Sequence, residues 1–241
     1  MGKRVTRKVQ VSAPLTAERL RAGWQGPAGT RLLLARPQDA GAADALMGTA
    51  GDQVAFDPSL RTAIEDGSAA SSMLAGLASE AAYREAAARS FTSLPTDEAL
   101  ASVCLTLVAT DARDQVVGVL SGTAPGTVMA MAARHGHNPQ RCLALSLFIA
   151  KVHGLAVAEH ARGQGIASAL LERAGQVYEQ LGYRLLYGAY EADRDLGAFY
   201  ARSGYTTLVP GAGFSLGRLG LPFMLRAGAD ECVFLRWRPR P

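Results

Sequence analysis

The chain has 241 residues, 49% of them hydrophobic, which is enough to bury the core of one large domain and argues against a disordered chain. Its net charge of +4 is mild and its basic residues cluster near the two ends, so no nucleic-acid-binding face is predicted. No apolar run reaches about 18 residues, so no membrane-spanning helix is predicted, and no apolar segment of a secretory signal follows the basic N-terminus.

The cysteines and histidines do not form the patterns of a metal site. Cys104, Cys142 and Cys232 are far apart, odd in number and without CxxC spacing, so neither a disulfide framework nor zinc is indicated. His135 and His137 have no third ligand spaced nearby. We therefore predict free thiols, a cytoplasmic location and no metal.

The first half of the chain contains several predicted elements. Residues 1–29 are predicted to be an N-terminal extension, with a short edge strand in VTRKVQVS and a helical turn in LTAERLRAGW, and a single domain is predicted over residues 30–238. Alternation and helical spacing of apolar residues predict the elements that follow. These are a strand at 30–35, a helix in AGAADALM, one long helix at 69–90, a β-hairpin at 102–110 and 116–120, and a short helix at 127–134.

The second half begins with a long apolar run, residues 143–157, which is predicted to be one bent strand. Gly154 within it indicates a bulge or a close backbone approach. A turn and a helix at 166–181 follow, so the next strand, 183–190, should pair in parallel after the crossover. The remaining predicted elements are a helix at 191–203, strands at 205–209 and 232–237, and between them a long apolar connection, 210–230, that either covers a pocket or packs on the core.

The turn between strand and helix, Arg162-Gly163-Gln164-Gly165, suits an anion. The first backbone N–H groups of a helix have no intrahelical partner, and small residues let a phosphate approach them. A Walker A loop is excluded because no Lys-Ser or Lys-Thr pair follows, and a dinucleotide fingerprint has glycine or alanine where this chain has Ser168. An ordinary strand-to-helix turn is the alternative.

Two motifs in this region resemble a known family. The segment Arg162-Gly163-Gln164-Gly165-Ile166-Ala167 matches R/Q-x-x-G-x-G/A, the acyl-CoA pyrophosphate loop of the GNAT superfamily of N-acetyltransferases. That family also often shows N-x-x-A-x-x-F/L-Y-x-x-x-G-F/Y. This chain has Asp193 for the Asn and Leu196 for the Ala, and it matches the motif at Phe199, Tyr200, Gly204 and Tyr205. The resemblance is strongest over residues 143–209.

The resemblance implies a fold and a binding mode. The expected fold is α/β, or α+β of the GNAT type. It has a mixed, mostly antiparallel central sheet of about six to seven strands, helices on both faces, and a V-shaped splay between the two central parallel strands. Main-chain groups on the splayed strand would bind the pantetheine arm of acetyl-CoA, and the turn would bind the pyrophosphate. The implied cofactor-binding residues are Leu155, Ala156, Val157, Arg162, Gly163, Gln164, Gly165, Ile166, Ala167, Ser168, Asp193 and Tyr200.

The resemblance also implies catalytic roles. Tyr200 matches the family's tyrosine that protonates the thiolate leaving group. His153 is a candidate base, since it lies two residues before Leu155 and its side chain should share that face of the strand. Glu191, at the end of the next strand, could accept a proton through water, and a water chain without any protein base is a further alternative.

The predicted activity is direct transfer of an acetyl group from acetyl-CoA to a primary amine. The alternatives are another acyl-CoA as donor, or a CoA-binding sensor or partner domain without turnover. The predicted partner is a small-molecule or peptide amine, with no nucleic acid and no membrane. A homodimer, common among similar proteins, is left open by the sequence.

Overall fold

In a computed structural model of the protein, residues 14–51 and 54–238 are described, and the edge strand predicted in VTRKVQVS lies outside them. One large sheet and one small hairpin contain the strands of these residues. The strands are β1 (Trp24–Gln25), β2 (Arg31–Leu34), β3 (Leu105–Thr110), β4 (Val116–Thr123), β5 (Ile149–Val157), β6 (Leu185–Glu191), β7 (Thr206–Thr207), β8 (Gly213–Ser215), β9 (Met224–Arg226) and β10 (Glu231–Trp237).

The large sheet has eight strands in the order β1-β2-β3-β4-β5-β6-β10-β7, and β8 and β9 form the separate hairpin. Every pairing in it is antiparallel except that of β5 with β6, which the crossover between them makes parallel. The predicted fold class is confirmed. The sheet has more than the predicted six to seven strands. One reason is that Trp24 and Gln25, within the predicted N-terminal extension, form an edge strand that pairs with β2.

The two central parallel strands separate along their length. Residues Ile149 to Lys151 of β5 pair with Leu185 to Tyr187 of β6, and the pairing ends there although both strands continue. The predicted V-shaped splay is therefore present. It opens toward the carboxyl ends of β5 and β6.

A β-bulge interrupts β5 just before the splay widens. Ser121 of β4 pairs with Gly154 whereas the next residue, Gly122, pairs with Val152, so His153 is the extra residue. A Cβ built on Gly154 would lie 2.3 Å from the Met47 sulfur, so any larger residue would force the Met47 side chain to move. The predicted bulge at Gly154 is confirmed, whereas the close contact there is with the Met47 side chain and not with a backbone.

Helices cover both faces of the sheet. They are α1 (Ala17–Ala22), α2 (Ala40–Met47), α3 (Pro58–Glu65), α4 (Ser71–Ala75), α5 (Glu80–Ser93), α6 (Thr96–Ala101), α7 (Gly126–Arg134), α8 (Pro139–Ala144), α9 (Ile166–Gln180) and α10 (Gly197–Arg202). We call the face that packs against α9, α5 and α10 face 1, and its apolar core includes Leu170, Tyr83 and Tyr200. On the opposite face, face 2, α2 and α3 form one cluster, and α7, α8 and the β8–β9 hairpin form another.

Three predicted elements were wrong. The helix predicted at 191–203 is only α10, because β6 continues to Glu191 and Asp195 has a φ of 44°, outside the helical range. The single helix predicted at 69–90 is two helices, α4 and α5, separated around Gly76, where a Cβ would lie 2.2 Å from the Tyr83 Cα. The strand predicted over 143–157 begins only at Ile149 because α8 occupies residues 139–144. That helix begins with Asn138, whose side chain accepts a hydrogen bond from the Arg141 N–H, followed by Pro139 in the first turn.

The apolar connection 210–230 contains the β8–β9 hairpin. Its side chains Phe214, Leu216, Phe223 and Leu225 are buried in the same cluster as Val128 of α7. Most of its apolar surface therefore packs on the core of face 2. Only the end of the connection, at Asp230, reaches the opening between the parallel strands.

Candidate active site

The turn between β5 and α9 presents open backbone amides. Gly163 and Gly165 have φ angles of 73° and 83°, a conformation that favours glycine. Among the described residues, the N–H groups from Gly163 to Ser168 have no hydrogen-bond acceptor, since they precede or begin the helix. A Cβ added at Gly163 would meet no atom within 4 Å. The surface above these amides is therefore free for an anion.

Side chains of the turn divide into exposed and buried groups. The Arg162 Nε donates to the Val157 carbonyl at 3.1 Å and the Gln164 Nε2 donates to the His160 carbonyl at 3.3 Å, so both side chains fold back on the turn. Ile166 is 1% exposed and anchors the start of α9 in the core of face 1. Ser168 is exposed and Ala167 half-buried.

The register of β5 decides which of its backbone groups face the splay. The Ala158 N–H donates to the Val117 carbonyl at 2.9 Å, so Ala158 points its polar groups toward β4. Because an antiparallel strand alternates the direction of these groups, Ala156 also points toward β4, whereas Leu155 and Val157 point away from it. The N–H and C=O groups of Leu155 and the N–H of Val157 therefore face the opening, and the backbone of Ala156 does not.

A cavity of about 490 Å³ occupies the splay. Residues of both sheet faces line it, because the separated strands leave a passage between face 1 and face 2. The lining residues are Ala50, Gly51, Val54, Lys151, Val152, His153, Gly154, Leu155, Ala189, Tyr190, Glu191, Arg194, Leu196, Tyr200, Asp230, Glu231 and Phe234.

Tyr200 borders the cavity from face 1. Its ring stacks on Phe234 with centroids 3.6 Å apart and planes at 10°, and it also stacks on Tyr190 at 5.5 Å. The residue is 5% exposed, and burial raises the pKa of its phenol. The phenol is therefore neutral at physiological pH and able to donate a proton.

His153 borders the cavity from face 2, not from the face of Leu155 as its spacing suggested. The bulge shifts the alternation of the strand by one residue, so Leu155 packs with the core of face 1 whereas His153 contacts the loop after α2. There its Nε2 lies 3.2 Å from the Ala55 carbonyl. Burial lowers the pKa of His153 below its ordinary value of 6.5, with a smaller contribution from the Lys151 charge, so the neutral imidazole is favoured.

Glu191 and Asp193 differ in their relation to the cavity. Glu191 lines its rim, where its Oε2 forms an ion pair of 2.6 Å with the Arg194 Nε. Asp193 is exposed and lies outside the lining of the cavity, so the structure does not bring it together with the other predicted residues.

Several lining residues were missed by sequence reasoning. Lys151 lies two residues before His153 on β5, and that spacing alone could have pointed to it. Phe234, Val54 and Asp230 come from segments distant in sequence, and no local pattern marks them.

Other kinds of site are not indicated in the described residues. Residues 14–51 and 54–238 contain no group of three or more His, Cys, Asp or Glu side chains that could hold a metal ion. Within the same residues, none of the helices combines the length and the apolar character needed to span a bilayer.

Comparison with solved structures gives GNAT proteins at low sequence identity. The GNAT domain of S. lividans PAT is 13% identical, with 91% of this chain and 97% of that chain covered and a TM-score of 0.49. An N-acetyltransferase from Staphylococcus aureus Mu50 is 16% identical, covering 87% and 99%, with a TM-score of 0.47. Ard1 from Thermoplasma volcanium is 14% identical, covering 88% and 99%, with a TM-score of 0.47. No curated protein matches the chain significantly.

Comparison with family models gives one match, to the acetyltransferase (GNAT) domain, over residues 103–207. This segment includes strands β3 to β7, the splay between β5 and β6, and the turn of open amides before α9. It also contains Tyr200, His153 and the bulge at Gly154. Over this segment, somewhat less than half of the chain, the protein is similar to GNAT acetyltransferase domains.

Proposed function

We propose that the protein transfers an acetyl group from acetyl-CoA to a primary amine. The observation that carries the proposal is the cavity in the splay. The open amides of the β5–α9 turn lie at the end of β5, and the cavity beyond has Tyr200 on one face and His153 on the other. Coenzyme and acceptor can thus meet inside the sheet.

The coenzyme would bind mainly through the backbone. The N–H groups from Gly163 to Ser168, with the partial positive charge of the α9 N-terminus, would bind the pyrophosphate. The pantetheine arm would pair with the Leu155 and Val157 groups that face the opening. An N–H in this region would polarise the thioester carbonyl as negative charge develops on its oxygen. Ala156 and Asp193 are omitted from this proposal because neither faces the cavity with a polar group.

The reaction would proceed by direct attack. The amine nitrogen forms a bond to the thioester carbon, the carbon–sulfur bond breaks, and the amide is released. His153 accepts the proton lost by the amine, because its imidazole is neutral and half-buried beside the cavity. Tyr200 donates a proton to the departing thiolate from the opposite face. Glu191 is a weaker candidate base, since it is exposed and already paired with Arg194.

The cellular location of the protein and the identity of its acyl donor are also part of the proposed function. The three cysteines are free and buried, which is compatible with a reducing compartment, and we propose a cytoplasmic location. Acetyl is the proposed acyl group, and propionyl- and succinyl-CoA are the donors to compare with it.

The proposal is tested by binding and by turnover. Titration calorimetry with acetyl-CoA should give saturable binding, and an assay of thiol release should show turnover that depends on both acetyl-CoA and a primary amine. Faster turnover with propionyl- or succinyl-CoA would reassign the donor. Binding of coenzyme without thiol release for any amine would indicate a sensor domain instead.

The role of Tyr200 gives a sharper test. Tyr200→Phe removes only the phenolic proton donor, so turnover should fall by roughly 10²- to 10⁴-fold, the usual contribution of a general acid, while the acetyl-CoA dissociation constant stays close to that of the wild type. Tyr205→Phe is the matched control, because its hydroxyl is buried without a partner among the described residues and its ring packs edge-on against Tyr200. Equal turnover in the two variants would remove Tyr200 from the mechanism.

A further inference from the structure

The only lysine after residue 8 of this arginine-rich chain lies in the cavity. Lysine occurs at positions 3, 8 and 151, and the other cationic side chains from residue 9 onward are arginines. Lys151 belongs to the last residue pair that joins β5 to β6, opposite Tyr187, so it stands where the splay begins. It is half-buried and lines the cavity.

Lys151 lies on face 2, the same face as His153, which is the proposed base for the acceptor amine. Ile149, two residues earlier, packs in the cluster of face 2, and the alternation of the strand puts Lys151 on that same face. The proximity of its charge to His153 contributes to the lowered pKa of that imidazole. The proposed acid, Tyr200, instead belongs to the core of face 1.

Lys151 differs in its ion pairing from Arg194, which also lines the cavity. In the described part of the chain, no carboxylate lies within 4.0 Å of it. At the rim, Arg194 is paired with Glu191, and the Glu231 Oε2 accepts a hydrogen bond from the Gly228 N–H at 2.8 Å. A half-buried cation without a partner has lost part of its hydration, so an anion that reaches it is bound favourably.

The charges of the cavity thus differ between its floor and its rim. The floor, at the start of the splay, holds Lys151, with which no carboxylate of residues 14–51 and 54–238 forms an ion pair. The rim holds three carboxylates, Glu191, Asp230 and Glu231. An acceptor with one ammonium and one anionic group matches both, whereas a second ammonium would be repelled at the floor. The cavity of about 490 Å³ also has to contain the acyl thioester, which favours a small acceptor.

We propose that Lys151 binds a carboxylate of the acceptor, so that the acceptor is a small amino acid and not a polyamine. The inference rests on the proposed acetyl transfer and specifies its substrate class. Lys151 acts here as a specificity-determining residue that orients the amine, and it takes no proton in the reaction.

The test compares amino acids with the amides of the same amino acids, and with diamines of similar length, as acceptors in the thiol-release assay. The wild type should prefer the free acids. An acid and its amide differ in the basicity of their amines. The preference is therefore expressed as the ratio of kcat/KM for the acid to kcat/KM for the amide, and this ratio is compared between wild type and variants. In Lys151→Met the preference should fall by roughly 10- to 100-fold, the usual contribution of a hydrogen bond to a charged group.

Further variants separate a specific role from a structural one. Lys151→Arg should retain part of the preference, and Lys151→Glu should reverse it in favour of diamines. Arg113→Met, an exposed change in the β3–β4 turn, removes the same charge outside the cavity and should leave the preference unchanged. Calorimetry should give the same acetyl-CoA affinity for all of these proteins.

Four outcomes would overturn the inference, and the first three leave the proposed acetyl transfer standing. If the wild type prefers amides or diamines to acids, the inference about Lys151 is refuted, but the proposed acetyl transfer is not. An unchanged preference in Lys151→Met would do the same. Stoichiometric acetylation of Lys151 by acetyl-CoA alone, read by mass spectrometry of the peptide, would make this residue a nucleophile. Absence of thiol release with every amine would instead refute the proposed function and this inference together.

Discussion

The residue whose position depends most on a local irregularity is His153. Without the bulge, regular alternation would place its ring with Leu155 on face 1, close to Tyr200. With the bulge, the ring lies against Ala55 on face 2, so the proposed base and the proposed acid approach the cavity from opposite faces. This separation suits a reaction in which one proton leaves the amine and another reaches the sulfur.

Replacing His153 should change the pH dependence of the reaction. A base must be neutral to act, so kcat/KM of the wild type should rise with pH through a pKa below 6.5. His153→Asn should lower kcat/KM and abolish this acid limb, measured in the thiol-release assay from pH 5 upward. Deprotonation of the acceptor amine affects the pH profile only at much higher pH, so its contribution can be separated from that of His153. An acid limb that persists in His153→Asn would assign the base to Glu191 or water.

The lowered pKa of His153 also has a consequence for stability. Because burial lowers the folded-state pKa, the unfolded chain binds more protons below pH 6.5, and the favourable contribution of the neutral imidazole is lost as the pH falls below that value. The charge of Asp57, which raises this pKa, reduces the effect, whereas the charge of Lys151, which lowers it, enhances the effect. The free energy of unfolding should therefore fall less with acid in His153→Asn than in the wild type, measured by urea denaturation.

At the scale of elements, the residues in and after the β5–α9 turn stabilise the conformation of that turn. Ile166, Leu170, Ala174 and Val177 follow at helical spacing and bury α9 against face 1, which holds the helix N-terminus at the end of β5. Gly165 supplies the left-handed residue at the helix start. The amides are thus oriented before any ligand arrives.

Substitution of Gly165 should weaken binding of the coenzyme. In Gly165→Ala the φ of 83° is strained for an L-residue, so the turn should relax and misalign the amides, and the dissociation constant for acetyl-CoA should rise by roughly tenfold, equivalent to about 1.4 kcal/mol. Calorimetry measures the change.

The control for this variant is Gly136→Ala. Gly136 has a φ of 81° and open space around its Cβ position, but it lies between α7 and α8, outside the lining of the cavity. The same backbone strain there should lower stability and leave coenzyme affinity unchanged. Equal loss of affinity in both variants would mean that the turn does not contact the coenzyme.

At the scale of the whole molecule, residues 58–101 form helices α3 to α6, which lie between helix α2 and strand β3 in the chain. Buried tyrosines join this segment to the central domain: the Tyr83 hydroxyl of α5 is hydrogen bonded to that of Tyr183, which follows α9, and the rings stack at 5.8 Å. Burial raises the pKa of both phenols, so the pair stays neutral.

A double-mutant cycle should detect this connection. Tyr83→Phe leaves the Tyr183 hydroxyl buried without its partner, so the free energy of unfolding should fall by about 1–3 kcal/mol in urea denaturation. Tyr83→Phe combined with Tyr183→Phe removes both polar groups, and its stability should lie closer to that of the wild type. Additive losses in the double variant would show that the two hydroxyls are not energetically coupled.

Much of the fold was predictable because local patterns specify it. Helical spacing predicted α9, the crossover helix required the parallel pairing of β5 and β6, and the glycine turn predicted the open amides. Where local signals conflict, prediction failed. Alanine-rich residues 69–90 favour a helix throughout, but the packing of Tyr83 against Gly76 ends one helix and begins another. Apolar residues 143–148 suggested strand, although Asn138 and Pro139 are a helix-start signal.

By itself the sequence determined the order β5, turn, α9 and β6, the open amides of that turn and the presence of an irregularity at Gly154, since each depends on residues close together in the chain. Only the tertiary structure decided that His153 and Tyr200 lie on opposite faces, that Ala156 directs its backbone to β4, and that Lys151 enters the cavity, where no carboxylate of the described residues pairs with it. These depend on the register between β4 and β5 and on contacts with segments nearly a hundred residues away. No local pattern encodes them, because a shift of one residue in register turns every side chain to the other face.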